Sequence, residues 1–167
     1  MNHLDLYIGI YRQCQKKWLR MFETHKNILT KKEQKDLFNF VKTKLQKLGR
    51  DYPGLQTKND LHTYKELHPF LKKINKHVKP NKINMCWCNY TDGSYISWHT
   101  HENIKYSIIY YLKSPKKLGV MFAKNRSGIE YTEGLENSLV MFDGSREHSV
   151  PNSHKKMNRY TIALDII

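Results

Sequence analysis

The chain has 167 residues, three cysteines and a formal net charge of +14 at pH 7, with a pI near 9.7. A domain of that length buries enough apolar surface to fold without staples, and the odd count of Cys14, Cys86 and Cys88 argues against a disulfide framework and for a reducing compartment. No stretch approaches the roughly 20 apolar residues of a membrane span, and no cleavable leader is evident, so the expectation is a single soluble, cytoplasmic domain over residues 1–167.

The excess of basic charge makes acidic partners a class to consider, nucleic acid among them. The lysines are dispersed, however, as in the pairs Lys16-Lys17, Lys31-Lys32, Lys72-Lys73, Lys116-Lys117 and Lys155-Lys156, and they never form a long run. The abundance of Lys, Asn, Ile and Tyr is also what an A+T-rich gene produces. Basic charge alone supports only salt-sensitive, sequence-independent binding.

Taken in order, residues 1–82 read as a helical scaffold. Leu4, Tyr7, Ile8, Tyr11, Cys14, Trp18, Leu19 and Phe22 recur at helical spacing with basic residues between them, an aromatic stripe suited to core packing or to lining a groove. Thr30-Lys-Lys-Glu33 is a capping box, and Leu37, Phe38, Val41, Leu45 and Leu48 extend a second helix toward a stop at Gly49. Asp51-Tyr-Pro-Gly54 signals a turn and residues 54–60 a loop. A third helix is expected from Leu61, Tyr64, Leu67, Leu71, Ile74 and Val78, kinked or restarted at Pro69 because proline lacks an amide hydrogen. His3, His25, His62, His68 and His77 show no metal-binding spacing.

From Ile83 the texture changes to short β-rich runs divided by turn residues. Strands are predicted over 83–90, 95–101, 106–112, 119–122, 129–132, 138–142, 148–150 and 159–166, with turns at Thr91-Asp-Gly93, Ser114-Pro115 and Asp143-Gly144. Eight such strands suggest a jelly roll or barrel, and with helices packed against it the fold class is α+β. Alternation along each strand groups Tyr95 and Ser97 with His99 and His101, Tyr90 with Cys86 and Cys88, Tyr111 with Ser107 and Ile109, and Arg159 with Thr161 and Ala163. Each set is expected to face inward, with Ile96 and Trp98 facing the other way.

His99 and His101, one residue apart, can share a metal ion, and His148 offers a third neutral imidazole. Three protein ligands with open positions mark a catalytic metal site, whereas a closed structural zinc site wants a fourth ligand, usually thiolate. Cys86 and Cys88 read as small buried apolar residues, and His154 as exposed. Arg159 follows His148 by eleven positions and its fork suits a carboxylate; within the protein, Glu130 or Glu133 is the alternative partner.

The segment Asn89-Tyr-Thr-Asp-Gly-Ser-Tyr-Ile-Ser-Trp-His-Thr-His101, then Tyr106-Ser-Ile-Ile-Tyr-Tyr-Leu112, Phe142 ahead of His148-Ser-Val-Pro151, and Arg159 together resemble the 2-oxoglutarate- and Fe(II)-dependent dioxygenases. The likeness is to the prolyl-hydroxylase-like branch and related phage and viral oxygenases, over residues 83–167. It implies a double-stranded β-helix, the cupin-like jelly roll, and, for a viral protein, a place in the host cytoplasm. It implies His99 and His148 as metal ligands, Arg159 with Tyr111 on the distal carboxylate of 2-oxoglutarate, and Tyr90 near the chelating end. It further implies Fe(II), 2-oxoglutarate and O2 as the reagents, with succinate and CO2 released as a substrate is hydroxylated; a protein or peptide side chain is preferred as that substrate.

One departure stands out. The family places an aspartate or glutamate two residues after the first histidine, where this chain has His101. Three outcomes are open: His101 ligates in a three-histidine site, Glu102 swings in through a bulge, or the position does not ligate. Two rival readings follow, a three-histidine cupin-type metalloenzyme that does not use 2-oxoglutarate, and an inactive basic binding module on the same fold.

Overall fold

A computed structural model describes residues 22–47, 53–77, 82–115, 117–124, 128–153 and 157–167. The helix predicted over residues 4–22 lies outside them except for Phe22, which stacks on Phe122 at 5.4 Å. Cys14, His3 and His154 lie outside them as well.

Among the described residues ten strands and two α-helices follow in order: β1 (Glu23–Lys26), α1 (Lys31–Lys42), β2 (Leu55–Gln56), α2 (His68–Ile74), β3 (Ile83–Thr91), β4 (Ile96–His99), β5 (Tyr106–Lys113), β6 (Leu118–Ala123), β7 (Ile129–Glu133), β8 (Ser138–Asp143), β9 (His148–Val150) and β10 (Arg159–Ile166). They form two antiparallel sheets, one in the order β1-β8-β5-β10-β3-β2 and the other β4-β9-β6-β7. The architecture is the expected jelly roll, with helices on the outer face of the larger sheet.

The helices sit there because each has one apolar stripe to bury. Leu37 and Val41 of α1 and Phe70 and Ile74 of α2 join Cys86, Cys88, Ile108, Tyr110, Ile162 and Leu164 in one buried cluster. Thr30 caps α1 as its sequence predicts, accepting from the Glu33 amide while the Glu33 carboxylate accepts from the Thr30 amide. A second, smaller cluster of Tyr111, Val120, Phe122, Val140 and Phe142 packs the two sheets together.

Among the described residues the first half of the chain departs from a purely helical scaffold in four places. Helix α1 stops at Lys42 rather than near Leu48, because the Thr43 hydroxyl and amide both turn back to the Phe40 carbonyl and Gln46 then pairs with Gln56. The third helix is restarted, not merely kinked: residues 61–63 and 65–67 form single 3₁₀ turns, and α2 begins at His68 with Pro69 in its first turn, where the missing amide costs nothing. Glu23–Lys26 is a strand, paired along β8 from Glu23 opposite Met141 to Lys26 opposite Ser138, and the predicted loop contains β2, paired to β3. Asn137, at φ 60, secures the first of these by binding the Leu29 amide and carbonyl with its side chain.

All eight strands predicted after residue 82 are present, though β4 is shorter than expected and ends at His99. Gly93 adopts φ 112 in the turn before it, a conformation open to glycine without steric cost. Among the described residues no helix is long and apolar enough to cross a membrane.

Candidate active site

The site is built where the smaller sheet meets the cavity face of the larger one. In the β4–β9 pair His99 stands directly opposite His148, which brings the two ring centroids to 4.2 Å. His101 lies beyond the end of β4, in a loop whose His101 amide donates to the Gly144 carbonyl at 2.9 Å. Gly144 is required there, since a Cβ at that position would collide with the Ile104 carbonyl. So anchored, the His101 ring lies 5.3 Å from that of His99 and 5.1 Å from that of His148. Ligand atoms of all three residues fall within 4.8 Å of one another.

Hydrogen bonding selects which nitrogen each ring can offer. Nδ1 of His99 lies 2.8 Å from the Ser97 carbonyl and Nδ1 of His148 lies 2.9 Å from that of Arg146. A carbonyl only accepts, so in both rings Nδ1 carries the hydrogen and Nε2 is left with its lone pair. Nδ1 of His101 meets both carboxylate oxygens of Asp165, at 2.7 and 2.8 Å. Burial pushes the His148 imidazole down to about 4, with the neighbouring His99 and His101 adding to the effect, and burial lowers His99 in the same direction. Neutral imidazole is the form that binds metal. The donor set therefore fits a divalent metal ion held by three Nε2 atoms.

The same cavity, about 520 Å³, is lined on its larger-sheet side by Arg159, Thr161, Ala163 and Asp165 of β10 and by Met85, Trp87 and Asn89 of β3. Arg159 is 2% exposed. Its guanidinium lies over the Tyr111 ring at 5.5 Å, and its Nε donates to the Leu118 carbonyl at 3.1 Å. Tyr111 is fully buried and its hydroxyl lies 3.4 Å from Thr132 Oγ1; burial raises the phenol, against the lowering influence of Arg159. Of the acidic residues considered as partners for Arg159, Glu130 lies close enough to Arg146 to act on its charge, and Glu133 is exposed.

The structure brings some of the expected site residues together and places others elsewhere. His99, His101, His148 and Arg159 line one cavity, and Tyr111 backs Arg159. His99 and His101 converge through a loop anchor and not through the alternation of one regular strand. The β4–β9 register shifts between Ile96 and His99, so Ile96 lines the cavity while Tyr95, expected inside, is 43% exposed. Glu102 is exposed at the cavity edge and is not part of the convergent ligand group. Tyr90 does share a face with Cys86 and Cys88, but that face is turned to the helices: its ring packs on Tyr160 at 5.0 Å and its hydroxyl donates to Asn158 Oδ1. Asn89, its neighbour, is the residue that lines the cavity. Cys86 and Cys88 are buried free thiols, both raised by burial, in agreement with their reading as apolar residues.

Asp165 is the site residue that sequence reading missed. Its signal was present, because the alternation Arg159, Thr161, Ala163 continues to Asp165, a lone acid in an otherwise apolar strand end.

No protein-family model matches the chain, and no curated protein matches it in sequence. Solved structures are similar to it in fold. A prolyl hydroxylase in complex with a hypoxia inducible factor oxygen degradation domain peptide fragment, from Trichoplax adhaerens, aligns over 100% of this chain and 94% of its own, with TM-score 0.71 and 11% identity. The chain has the fold of the 2-oxoglutarate- and Fe(II)-dependent oxygenases. A viral collagen prolyl hydroxylase of Paramecium Bursaria Chlorella virus-1, in its 2-oxoglutarate complex, aligns over 89% of this chain and 96% of its own, with TM-score 0.62 and 14% identity. HygX from Streptomyces hygroscopicus, with nickel, 2-oxoglutarate and hygromycin B bound, aligns over 99% and 86%, with TM-score 0.68 and 9% identity.

Proposed function

We propose that this protein is a 2-oxoglutarate- and Fe(II)-dependent oxygenase in which His99, His101 and His148 hold the metal and Arg159, backed by Tyr111, binds the distal carboxylate of 2-oxoglutarate. The observation that carries the reading is the opening of three convergent imidazoles and a buried guanidinium into one cavity. When bound, Fe(II) and 2-oxoglutarate supply the oxidative chemistry, in which O2 decarboxylates 2-oxoglutarate to succinate and CO2 and a substrate C–H becomes C–OH.

The chain's own residues prepare that chemistry. The Ser97 and Arg146 carbonyls fix the tautomers of His99 and His148, so that Nε2 faces the metal position before it is filled. Phe142, edge-on to His148 at 4.7 Å, and Ile96, Ile109 and Val150 shield the metal end from water. The guanidinium of Arg159 presents donors to a carboxylate in a site where little water competes, which strengthens each bond. A protein or peptide side chain is the substrate class we favour. Gln56, Asn59, Thr100 and Glu102 edge the mouth with groups able to pair with a peptide backbone, and the Trichoplax neighbour holds a peptide.

Anaerobic titration of the protein with Fe(II) and 2-oxoglutarate, followed by admission of O2 and a succinate assay, tests the proposal. Joint binding and slow succinate formation without a second substrate are expected. Metal binding with no affinity for 2-oxoglutarate would point instead to a three-histidine metalloenzyme of another kind, and binding of neither to a non-enzymatic module.

A further inference from the structure

Resting on the three-histidine metal site just described, we propose that Asp165 is its positioning residue: the buried carboxylate holds Nδ1–H of His101, aims Nε2 of that ring at the metal, and returns to the site the negative charge that a carboxylate at position 101 would carry.

The three rings are not supported alike. His99 and His148 lean on backbone carbonyls, whereas His101 leans on both oxygens of a carboxyl group that is 1% exposed. That asymmetry falls at the position where the resemblance expects aspartate or glutamate. Strand register builds the arrangement. Asp165 stands opposite Ser107 in the β10–β5 pair, and the Ser107 hydroxyl donates to Asp165 Oδ1 at 2.8 Å while lying 3.2 Å from His101 Nδ1. With the hydroxyl hydrogen directed at the carboxylate, Nδ1 of His101 must supply its own to the same acceptor.

Charge balance points the same way. A buried carboxylate costs several kcal/mol unless a counter-charge stands near. Among the described residues the basic side chain that meets the Asp165 carboxyl group is His101, and a metal ion on the far side of that ring would supply the positive charge. A carboxylate-backed imidazole is a more basic ligand than one backed by a carbonyl. Counted over ligands and their backing groups, three neutral imidazoles and Asp165 carry the same −1 as a two-histidine-one-carboxylate site. The negative charge has moved one bond network outward; it has not been lost.

The first test uses Zn(II) as a diamagnetic probe on the wild-type protein, with long-range proton–nitrogen NMR of the histidine rings. Metal on Nε2 of His101, with a slowly exchanging Nδ1–H, is expected; metal on Nδ1, or a His101 ring unmoved by Zn(II), overturns the assignment. The second is a double-mutant cycle on Zn(II) affinity. Asp165→Asn should weaken binding about 10- to 100-fold, and in a His101→Ala background it should have no further effect, because nothing remains for it to orient. Equal losses in both backgrounds would make Asp165 a structural residue or a direct ligand. Should Asp165→Asn not fold, Ser107→Ala takes its place, with about a threefold loss expected in the wild-type background and none in His101→Ala; no loss in either overturns the proposal. No arm contains 2-oxoglutarate. Failure of that cosubstrate to bind therefore counts against the oxygenase reading alone, and Zn(II) bound away from His101 counts against this one.

Discussion

The two faces of the larger sheet come from the same strands, yet they are built on different principles. On β10, Tyr160, Ile162, Leu164 and Ile166 pack into the helix-backed cluster, whereas Arg159, Thr161, Ala163 and Asp165 line the cavity. β3 repeats the division, with Cys86 and Cys88 on the helix side and Met85, Trp87 and Asn89 on the other. The helix-side contacts are apolar and non-directional, so stability there depends on volume and is shared among many residues. The cavity-side contacts are directional. Asp165 answers His101 and Ser107, and Arg159 answers Tyr111 and the Leu118 carbonyl, so each side chain has few acceptable replacements. One face holds the fold and the other is held by it.

The largest effect that sharpens this contrast is expected on the helix side. Phe70 is 1% exposed and its ring lies 4.8 Å from that of Tyr110. Phe70→Ala should cost about 3–5 kcal/mol in urea unfolding while the folded fraction keeps its metal affinity. If metal binding falls in protein that is still folded, the two faces are not separable.

On the cavity side, Arg159→Ala should weaken 2-oxoglutarate binding by about 2–5 kcal/mol, roughly 30- to 5,000-fold, as read by calorimetry in the presence of Fe(II) without oxygen. Metal affinity should change little. Loss of metal instead would show that the guanidinium organises the protein and not the cosubstrate.

A pH dependence follows from burial of the imidazoles. His148 titrates near 4 when folded and near 6.5 when unfolded, so below the unfolded value the unfolded chain binds more protons. The metal-free protein should hold its full stability above about pH 6.5 and lose on the order of 2–3 kcal/mol as pH falls toward 4. His99, shifted the same way, adds to the loss. Denaturant midpoints across this range check it, and a His148→Gln variant should show a shallower fall.

The smallest effect belongs to the rim of the helix side. Thr30→Ala removes one half of the capping box on α1 and should cost about 1 kcal/mol, with 2-oxoglutarate and metal binding unchanged. A change in either ligand's affinity would mean that α1 reaches the cavity through the sheet.

Much of this division was legible in the residues. The eight β-rich runs after residue 82, the capping box and the Pro69 restart all rest on local rules of period and turn chemistry, which neighbouring residues carry among themselves, and His99, His101, His148 and Arg159 were nameable as candidates by residue type and order. Other features were decided only by partners distant in sequence. Glu23–Lys26 is a polar tetrapeptide with no strand signal of its own and becomes β1 because the free edge of β8 offers it hydrogen bonds. Period two states which residues share a face of a strand but is silent on which face meets the helices. Tyr90 was therefore grouped correctly with Cys86 and Cys88 and assigned to the wrong side, and the shift in β4 exchanged Ile96 for Tyr95. The candidate metal ligands could thus be named from residue type and spacing in the sequence. The carboxylate behind His101 could not, because Asp165 lies 64 residues away and reaches it only through the pairing of β10 with β5 and the anchoring of the His101 loop on Gly144.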